Sequence, residues 1–385
     1  MTTPISILCL ITSLCDGGAE TMLHRLLSRL DRKRFSPRVV ALVDTDAGPM
    51  SKKIEELGVP VRFLGMRPGR PNPASLLRLI HWLRHDKPDV ICTWMYHADL
   101  AGGLAAWFAG GIPVAWGIRH GDLSVEGNKR LTLFTVKVCA YLSRWLPDRI
   151  VCNAEVSRRT HVAAGYVAEK MIVIANGSDL ENFKPDPVAR ESVRKELRIP
   201  EAAQLIGLIA RFDPQKDHRN FVQAARLLHH DRPDVYFILC GDGVNWENEK
   251  LTRWIEAAGI RHRCCLLGRR DDIPRLTAAL DIATLSSFGE GSPNVVIEAM
   301  SCGIPCVVTD VGDSAQIVGD TGLVVPPRNP EALAKALRTM LDFGQEARSR
   351  LGMTARQRIV QHFSLSATVA RYEQLFEELA CGARA

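Results

Sequence analysis

Two carboxylates open the chemistry of this chain. Glu290 and Glu298 stand with seven residues between them in the run SSFGEGSPNVVIEAMSCGIPCVVTD (286–310). Ser292 is the right residue type for an N-cap, and Pro293 suits a first helical position, where its missing N–H costs nothing. The spacing predicts a helix starting at Pro293 and carrying Glu298, with Glu290 in the loop just before it. A glycine-containing loop, a fresh helix N-terminus and two carboxylates then share one small surface. Amide donors suit anionic oxygens and carboxylates suit sugar hydroxyls, so the set matches a diphosphate-sugar. Any one of these residues alone is a capping carboxylate or a solvated helix glutamate; the whole string is a candidate site.

Smaller signals accompany it. Gly17 and Gly18 in CDGGAETMLHRLL open an amphipathic helix, where a phosphate can approach backbone N–H groups, although the turn lacks the fingerprint glycines of a dinucleotide site and the Lys of a P-loop. Arg211 and Lys216 in LIARFDPQKDH (208–218) form a basic pair after an apolar run. His120 and Arg119 in IRHGD, and His97 in WMYHADL, follow strand-like runs; a lone His is more often a structural hydrogen-bonder. Asp44-Thr45-Asp46 spells a D-x-D, which suits a divalent cation. It follows the second strand, remote in the pattern from the other candidates, and reads better as a polar loop; no metal is expected.

The elements that must position these residues alternate throughout. Strand-like runs at 5–12, 37–43, 59–64, 89–94, 112–118 and 148–153 are separated by patterns at helical spacing such as Met22, Leu23, Leu26, Leu27 and Leu30. After the polar stretch NGSDLENFKPDP (176–187) the pattern restarts, with strands at 205–211, 235–241, 264–269, 282–287 and 305–310. The fold class is therefore α/β, with two doubly wound, Rossmann-like domains facing a central cleft. The expected division is a first Rossmann-like domain at 1–170, a second at 171–362, and a C-terminal helix at 363–385 packing back toward the first domain.

Composition narrows the classes. With 46% apolar and 24% charged residues the chain is neither disordered nor a multi-spanning membrane protein. Eleven cysteines, several inside apolar runs and none in a C-x-x-C, read as reduced buried thiols of a cytosolic protein. The N-terminus has no basic n-region, and no run reaches the length of a spanning helix. Residues 1–165 hold 22 Lys and Arg against 14 Asp and Glu, whereas the remainder is nearly balanced. A basic half suits an anionic partner, and DRKRF (31–35) and MRPGR (66–70), with Trp82 or Trp145 beside them, suggest peripheral contact with an anionic membrane. Nothing resembles a nucleic-acid-binding motif.

The run EGSPNVVIEAMSCGIPCVVTDVG resembles the donor-site signature of family 4 glycosyltransferases, retaining enzymes of the GT-B fold. LIARFDPQKDH, VIANGSDLENFKP (173–185) and GDG (241–243) agree, so the resemblance spans essentially the whole chain, and WGIRHGDLS and NAEVSRRTHVAAGY look most like bacterial enzymes of surface-polysaccharide or lipid-linked glycan synthesis. The resemblance implies that Arg211 and Lys216 grip the donor diphosphate, Glu298 holds the ribose hydroxyls and Glu290 faces the transferred sugar. It further implies that Gly291, Ser292, Pro293 and Asn294 line sugar and phosphate, that Gly17 and Gly18 approach the phosphate, and that His120 lies near the reacting sugar. His97 and Arg119 are acceptor candidates. The expected reaction is retaining, metal-independent transfer of a sugar from a nucleotide-diphosphate donor, UDP-linked by preference, to a glycan or polyprenyl-diphosphate-linked acceptor, without cofactor and at the inner face of the cytoplasmic membrane. A non-hydrolysing sugar-nucleotide epimerase of the same fold and a non-catalytic nucleotide-sugar binding protein are the alternatives.

Overall fold

The computed structural model describes residues 3–15, 17–43, 49–67, 72–124 and 128–382, which form two compact units: 1–177 with 365–385, and 178–364. The first unit holds a seven-stranded parallel sheet of β1 (Ile5–Ile11), β2 (Phe35–Val43), β3 (Val61–Met66), β4 (Val90–Trp94), β5 (Val114–Ile118), β6 (Arg149–Cys152) and β7 (Met171–Val173), in the order β3-β2-β1-β4-β5-β6-β7. The second holds β8 (Gln204–Ile209), β9 (Val235–Cys240), β10 (Cys264–Leu266), β11 (Ile282–Leu285), β12 (Cys306–Thr309) and β13 (Gly322–Val325), in the order β10-β9-β8-β11-β12-β13. Strands such as ISILCLI and VICTW are apolar on both faces because helices cover both sides of each sheet. In each sheet the order reverses beside the first strand, between β1 and β4 and between β8 and β11, and ligands of open α/β sheets bind beyond the strand C-termini at such reversals.

Two strands escape the periodicity. β7 and β13 are only three and four residues long and partly exposed; β7 sits in the short apolar run 171–175 that abuts the polar stretch 176–187, and β13 runs straight into Pro326 and Pro327. Pairing of β7 with β6 carries the first unit on to Gly177, beyond the boundary expected at 170.

The chain returns to the first unit at Leu365. The helix Leu365–Gly382 buries Leu365, Val369, Tyr372, Leu375, Phe376 and Leu379, spaced by three and four, against β1 and the helix Gly18–Arg29. Phe376 meets Phe35 edge-on at 6.1 Å, and Tyr372 stacks on Trp94 at 6.1 Å. Each such side chain contributes about 1.5–3 kcal/mol by leaving water.

One buried carboxylate sits beneath the strand ends. Asp99, fully buried, accepts at one oxygen from Thr93 Oγ1 (2.6 Å) and Gly117 N (3.0 Å), while its other oxygen makes no hydrogen bond. Burial raises its pKa to about 6. Its unfolded carboxyl titrates near ~3.9, so its contribution to stability is complete below that pH and is lost as pH rises through 6. Asp99→Asn keeps an acceptor for both donors and removes the buried charge. The expected gain is about 1–3 kcal/mol at pH 8, with little change at pH 4. Urea denaturation of both proteins at the two pH values checks this.

Candidate functional site

The second unit builds its site where β8 and β11 diverge. Beyond β8 the chain is pinned to the turn after β9: Ala210 N donates to Cys240 O (2.8 Å) and Phe212 N to Asp242 O (2.7 Å). Gly241 has φ +154°, and a Cβ there would lie 2.2 Å from Ala210 O, so the close approach requires glycine. Asp213 then does two things. Its Oδ1 caps the turn Pro214–Lys216 by accepting from Gln215 N (2.9 Å), and its Oδ2 accepts from Arg211 Nε and Nη2, each at 3.2 Å. Arg211 is thereby held with half of its side chain in solvent.

Lys216 meets Glu290. Its Nζ lies 2.6 Å from Glu290 Oε1, the side chains being 20% and 11% exposed, and Ser287 Oγ donates to the same oxygen at 2.7 Å. Two further bonds fix the two loops against each other, Ser286 Oγ to Lys216 O (2.8 Å) and Phe288 N to Gln215 O (2.9 Å), and Thr309 Oγ1 at the end of β12 donates to Ser287 O (2.7 Å). An ammonium has three N–H donors, and the Glu290 contact uses one, so the others can serve an anion.

The loop after Glu290 is braced from β12. Asp313 N donates to Gly291 O (2.9 Å), and Gly312, at φ +56°, passes so close that a Cβ would lie 2.2 Å from Gly291 O. The helix starts at Asn294 rather than Pro293. Pro293 itself occupies the capping position and Ser292 does not cap, which corrects the sequence expectation. No side chain caps this helix, and Glu298 lies buried on it. Arg211, Lys216, Glu290, Gly291, Ser292, Pro293, Asn294 and Glu298 thus come from the loops and helix that follow β8 and β11.

Three neighbours had no signal in the sequence. His218 is buried, packs 5.3 Å from the Phe212 ring, and is pushed down to about 4 by burial, so it is neutral at physiological pH. Arg328, in the left-handed region at φ +55°, lies 4.2 Å over the Phe288 ring. Ser287, which shares Glu290 with Lys216, is indistinguishable in sequence from any strand-end serine.

The first-unit candidates lie beyond β1, β4 and β5. Gly17 is at the cap of the helix Gly18–Arg29, and the Glu20 carboxylate folds back over it, 2.4 Å from where a Cβ would be. The turn's donors are therefore already faced by a carboxylate. Met95, the residue after β4, has φ +74°, a strained value for a non-glycine, and delivers the helix Tyr96–Phe108 with half-buried His97 in its first turn. Burial lowers the pKa of His97. Arg119 lies 3.8 Å over the Trp94 ring and donates to Tyr372 Oη, so its guanidinium is engaged within the unit. His120 is half-buried beside it. Asp44-Thr45-Asp46 lies outside the described residues, among which no group of three or more His, Cys, Asp or Glu side chains could hold a metal ion.

Residues 16–182 match the family model for Glycosyltransferase Family 4, and residues 203–342 match that for Glycosyl transferases group 1. The chain belongs to the family 4 glycosyltransferases. This glycosyltransferase is 27% identical over 311 residues, 79% of each chain, to the UDP-Gal:alpha-D-GlcNAc-diphosphoundecaprenol alpha-1,3-galactosyltransferase of Escherichia coli. It is 27% identical over 301 residues, 78% of each chain, to the lipopolysaccharide core biosynthesis glycosyltransferase LpsE of Rhizobium meliloti. Anabaena HepE, solved with UDP, superposes with TM-score 0.85 at 24% identity, over 97% of this chain and 100% of that one, and shares the GT-B fold. Among the described residues no helix of the glycosyltransferase is long and apolar enough to cross a membrane.

Proposed function

We propose that this glycosyltransferase moves a hexose from a UDP-linked donor to a hydroxyl of a lipid-linked glycan, with retention at the anomeric carbon. The observation that carries the reading is the Lys216–Glu290 pair, held by Ser287 at the C-terminal ends of β8 and β11, with Arg211 on the same loop as Lys216. Lys216 and Arg211 neutralise the donor diphosphate, the uncapped N-terminus of the helix Asn294–Ser301 adds amide donors, Glu290 takes sugar hydroxyls and Glu298 those of the ribose. The name of the Escherichia coli relative supports a UDP-sugar donor and a diphosphoundecaprenol-linked acceptor. The acceptor is assigned to the first unit, with His120 near the reacting sugar, His97 and Arg119 on the acceptor side, and Gly17 and Gly18 at the phosphate.

In this scheme the bond from the anomeric carbon to the phosphate oxygen breaks, the acceptor oxygen bonds to that carbon on the same face, and the departing diphosphate takes the acceptor's proton. Glu290 Oε1 accepts from both Lys216 and Ser287, which weakens it as a nucleophile and favours this route over a covalent glycosyl-enzyme. The protein's share of the barrier lowering is electrostatic support of the leaving group.

With phosphate charge met by Lys216 and Arg211, activity is expected to persist in EDTA. Loss in EDTA restored by Mn²⁺, and mimicked by Asp44→Ala, would contradict that. The function itself is tested with a panel of UDP-sugars and a polyprenyl-diphosphate-linked acceptor, reading UDP release and product mass. UDP release that requires acceptor, with a product heavier by one hexose, supports transfer. Interconversion of the donor without acceptor would show an epimerase, and binding without turnover a carrier. A lipid-linked acceptor also implies work at the cytoplasmic face of a membrane.

A further inference from the structure

The basic segments singled out in the sequence are largely occupied. Arg34 of DRKRF pairs with Glu373 and Glu377, the side chain of Trp82 is half-buried with Arg62 5.6 Å from its ring, and most of MRPGR lies outside the described residues. A different face is open. The helix Arg130–Leu142 buries Thr135, Val136, Cys139 and Ala140 and turns Arg130, Phe134, Lys137 and Tyr141 to solvent at three- and four-residue spacing, so that basic and aromatic residues alternate along one stripe. Arg144 and Trp145 continue it past the helix end, where the Tyr141 and Trp145 rings meet edge to face at 5.2 Å. Phe134, Tyr141 and Trp145 are 63%, 65% and 49% exposed, which is unusual for side chains of this size. Residues 128–147 hold four Lys or Arg and no Asp or Glu. The neighbouring helix Tyr96–Phe108 packs on this one and ends in Trp107 and Phe108, both more than half exposed.

We infer that this stripe docks on an anionic phospholipid surface. The inference rests on the reading of a lipid-linked acceptor and assigns the surface that brings the enzyme to it. Aromatic rings with one polar end sit at the headgroup level, cations on the same stripe meet lipid phosphates, and the combination holds a chain that spans nothing. Charge selects the occupant: a purely apolar partner would leave Arg130, Lys137 and Arg144 desolvated and unpaired, whereas an anionic headgroup layer pairs them.

The test is co-sedimentation with vesicles of phosphatidylcholine alone and of phosphatidylcholine with phosphatidylglycerol, at low and moderate salt. The full chain is expected to sediment with the anionic vesicles only, and less as salt rises. Two variants separate the contributions: Phe134→Ser/Tyr141→Ser/Trp145→Ser, and Lys137→Glu/Arg144→Glu. Each should lower the bound fraction about tenfold or more at fixed lipid while melting normally and transferring to a water-soluble acceptor at the native rate. Undiminished sedimentation of both variants, or equal binding to neutral vesicles, would overturn the assignment. So would a dimer of the native chain that both variants render monomeric, since the stripe would then be a subunit interface. Failure to bind vesicles with intact transfer counts against this surface alone; vesicle binding without any transfer counts against the functional reading alone.

Discussion

Lys216→Ala is expected to lower kcat/KM by about a hundredfold to a thousandfold, and Arg211→Ala by about tenfold to a hundredfold. The asymmetry comes from the surroundings of the two cations. Lys216 is four-fifths buried and touches Glu290, so its loss removes a charge from a water-poor site and leaves Glu290 Oε1 with the Ser287 hydroxyl, 2.7 Å away, as its donor. Arg211 is half in solvent and held by Asp213, so water screens part of what it contributes. Lys216→Arg keeps the charge but not the geometry and should recover part of the loss. Steady-state kinetics at sub-saturating donor, with thermal melts to show the fold intact, decide the matter. A Lys216→Ala rate near that of the native enzyme would sink the assignment of the pair.

Gly312→Ala should damage site and fold together. Its Cβ would fall 2.2 Å from Gly291 O and 2.9 Å from Glu290 O, and backbone carbonyls cannot swing aside as a side chain does. The residue also sits at φ +56°, which a Cβ makes costly. The expected loss is about 2–4 kcal/mol of stability, with kcat/KM lower by about a hundredfold because the loop carrying Glu290 must shift. Gly344→Ala is the control: φ is +78° but nothing lies within 4 Å, so it should cost about 1–2 kcal/mol and leave activity unchanged. Urea denaturation and initial rates of the two variants separate strain from collision; an active Gly312→Ala enzyme would show that the brace does not set the loop.

The sequence was most legible where patterns are long. Apolar runs and helical spacing revealed the two doubly wound sheets, because strands covered on both faces carry an unbroken signal. β13 was missed because four partly exposed residues ahead of Pro326 and Pro327 carry little signal, and β7 because its short apolar run, 171–175, merges with the polar stretch that follows it. In the site, residue types identified Lys216 and Glu290 separately, but their contact joins positions 74 apart through the order of β8 and β11, which no local pattern encodes. The helix starts at Asn294 rather than Pro293 because Pro293 holds ψ at 102°, an extended value, and so takes the capping position, a backbone choice that its residue type leaves open. Net charge likewise named the basic half without separating Arg34, already paired with Glu373, from Lys137 on an open face.

The role proposed for the Lys216–Glu290 site is to bind a UDP-sugar and support transfer of its sugar to a lipid-linked glycan. It is tested most directly by incubating native enzyme and Lys216→Ala with UDP-hexoses and a polyprenyl-diphosphate-linked acceptor and weighing the product. The expected product is an acceptor heavier by one hexose, α-linked where the donor is α, formed by the native enzyme with one UDP released per transfer and lost to about 1% or less in Lys216→Ala. An acceptor unchanged in mass with every donor tried, or an equal yield from both proteins, would contradict it.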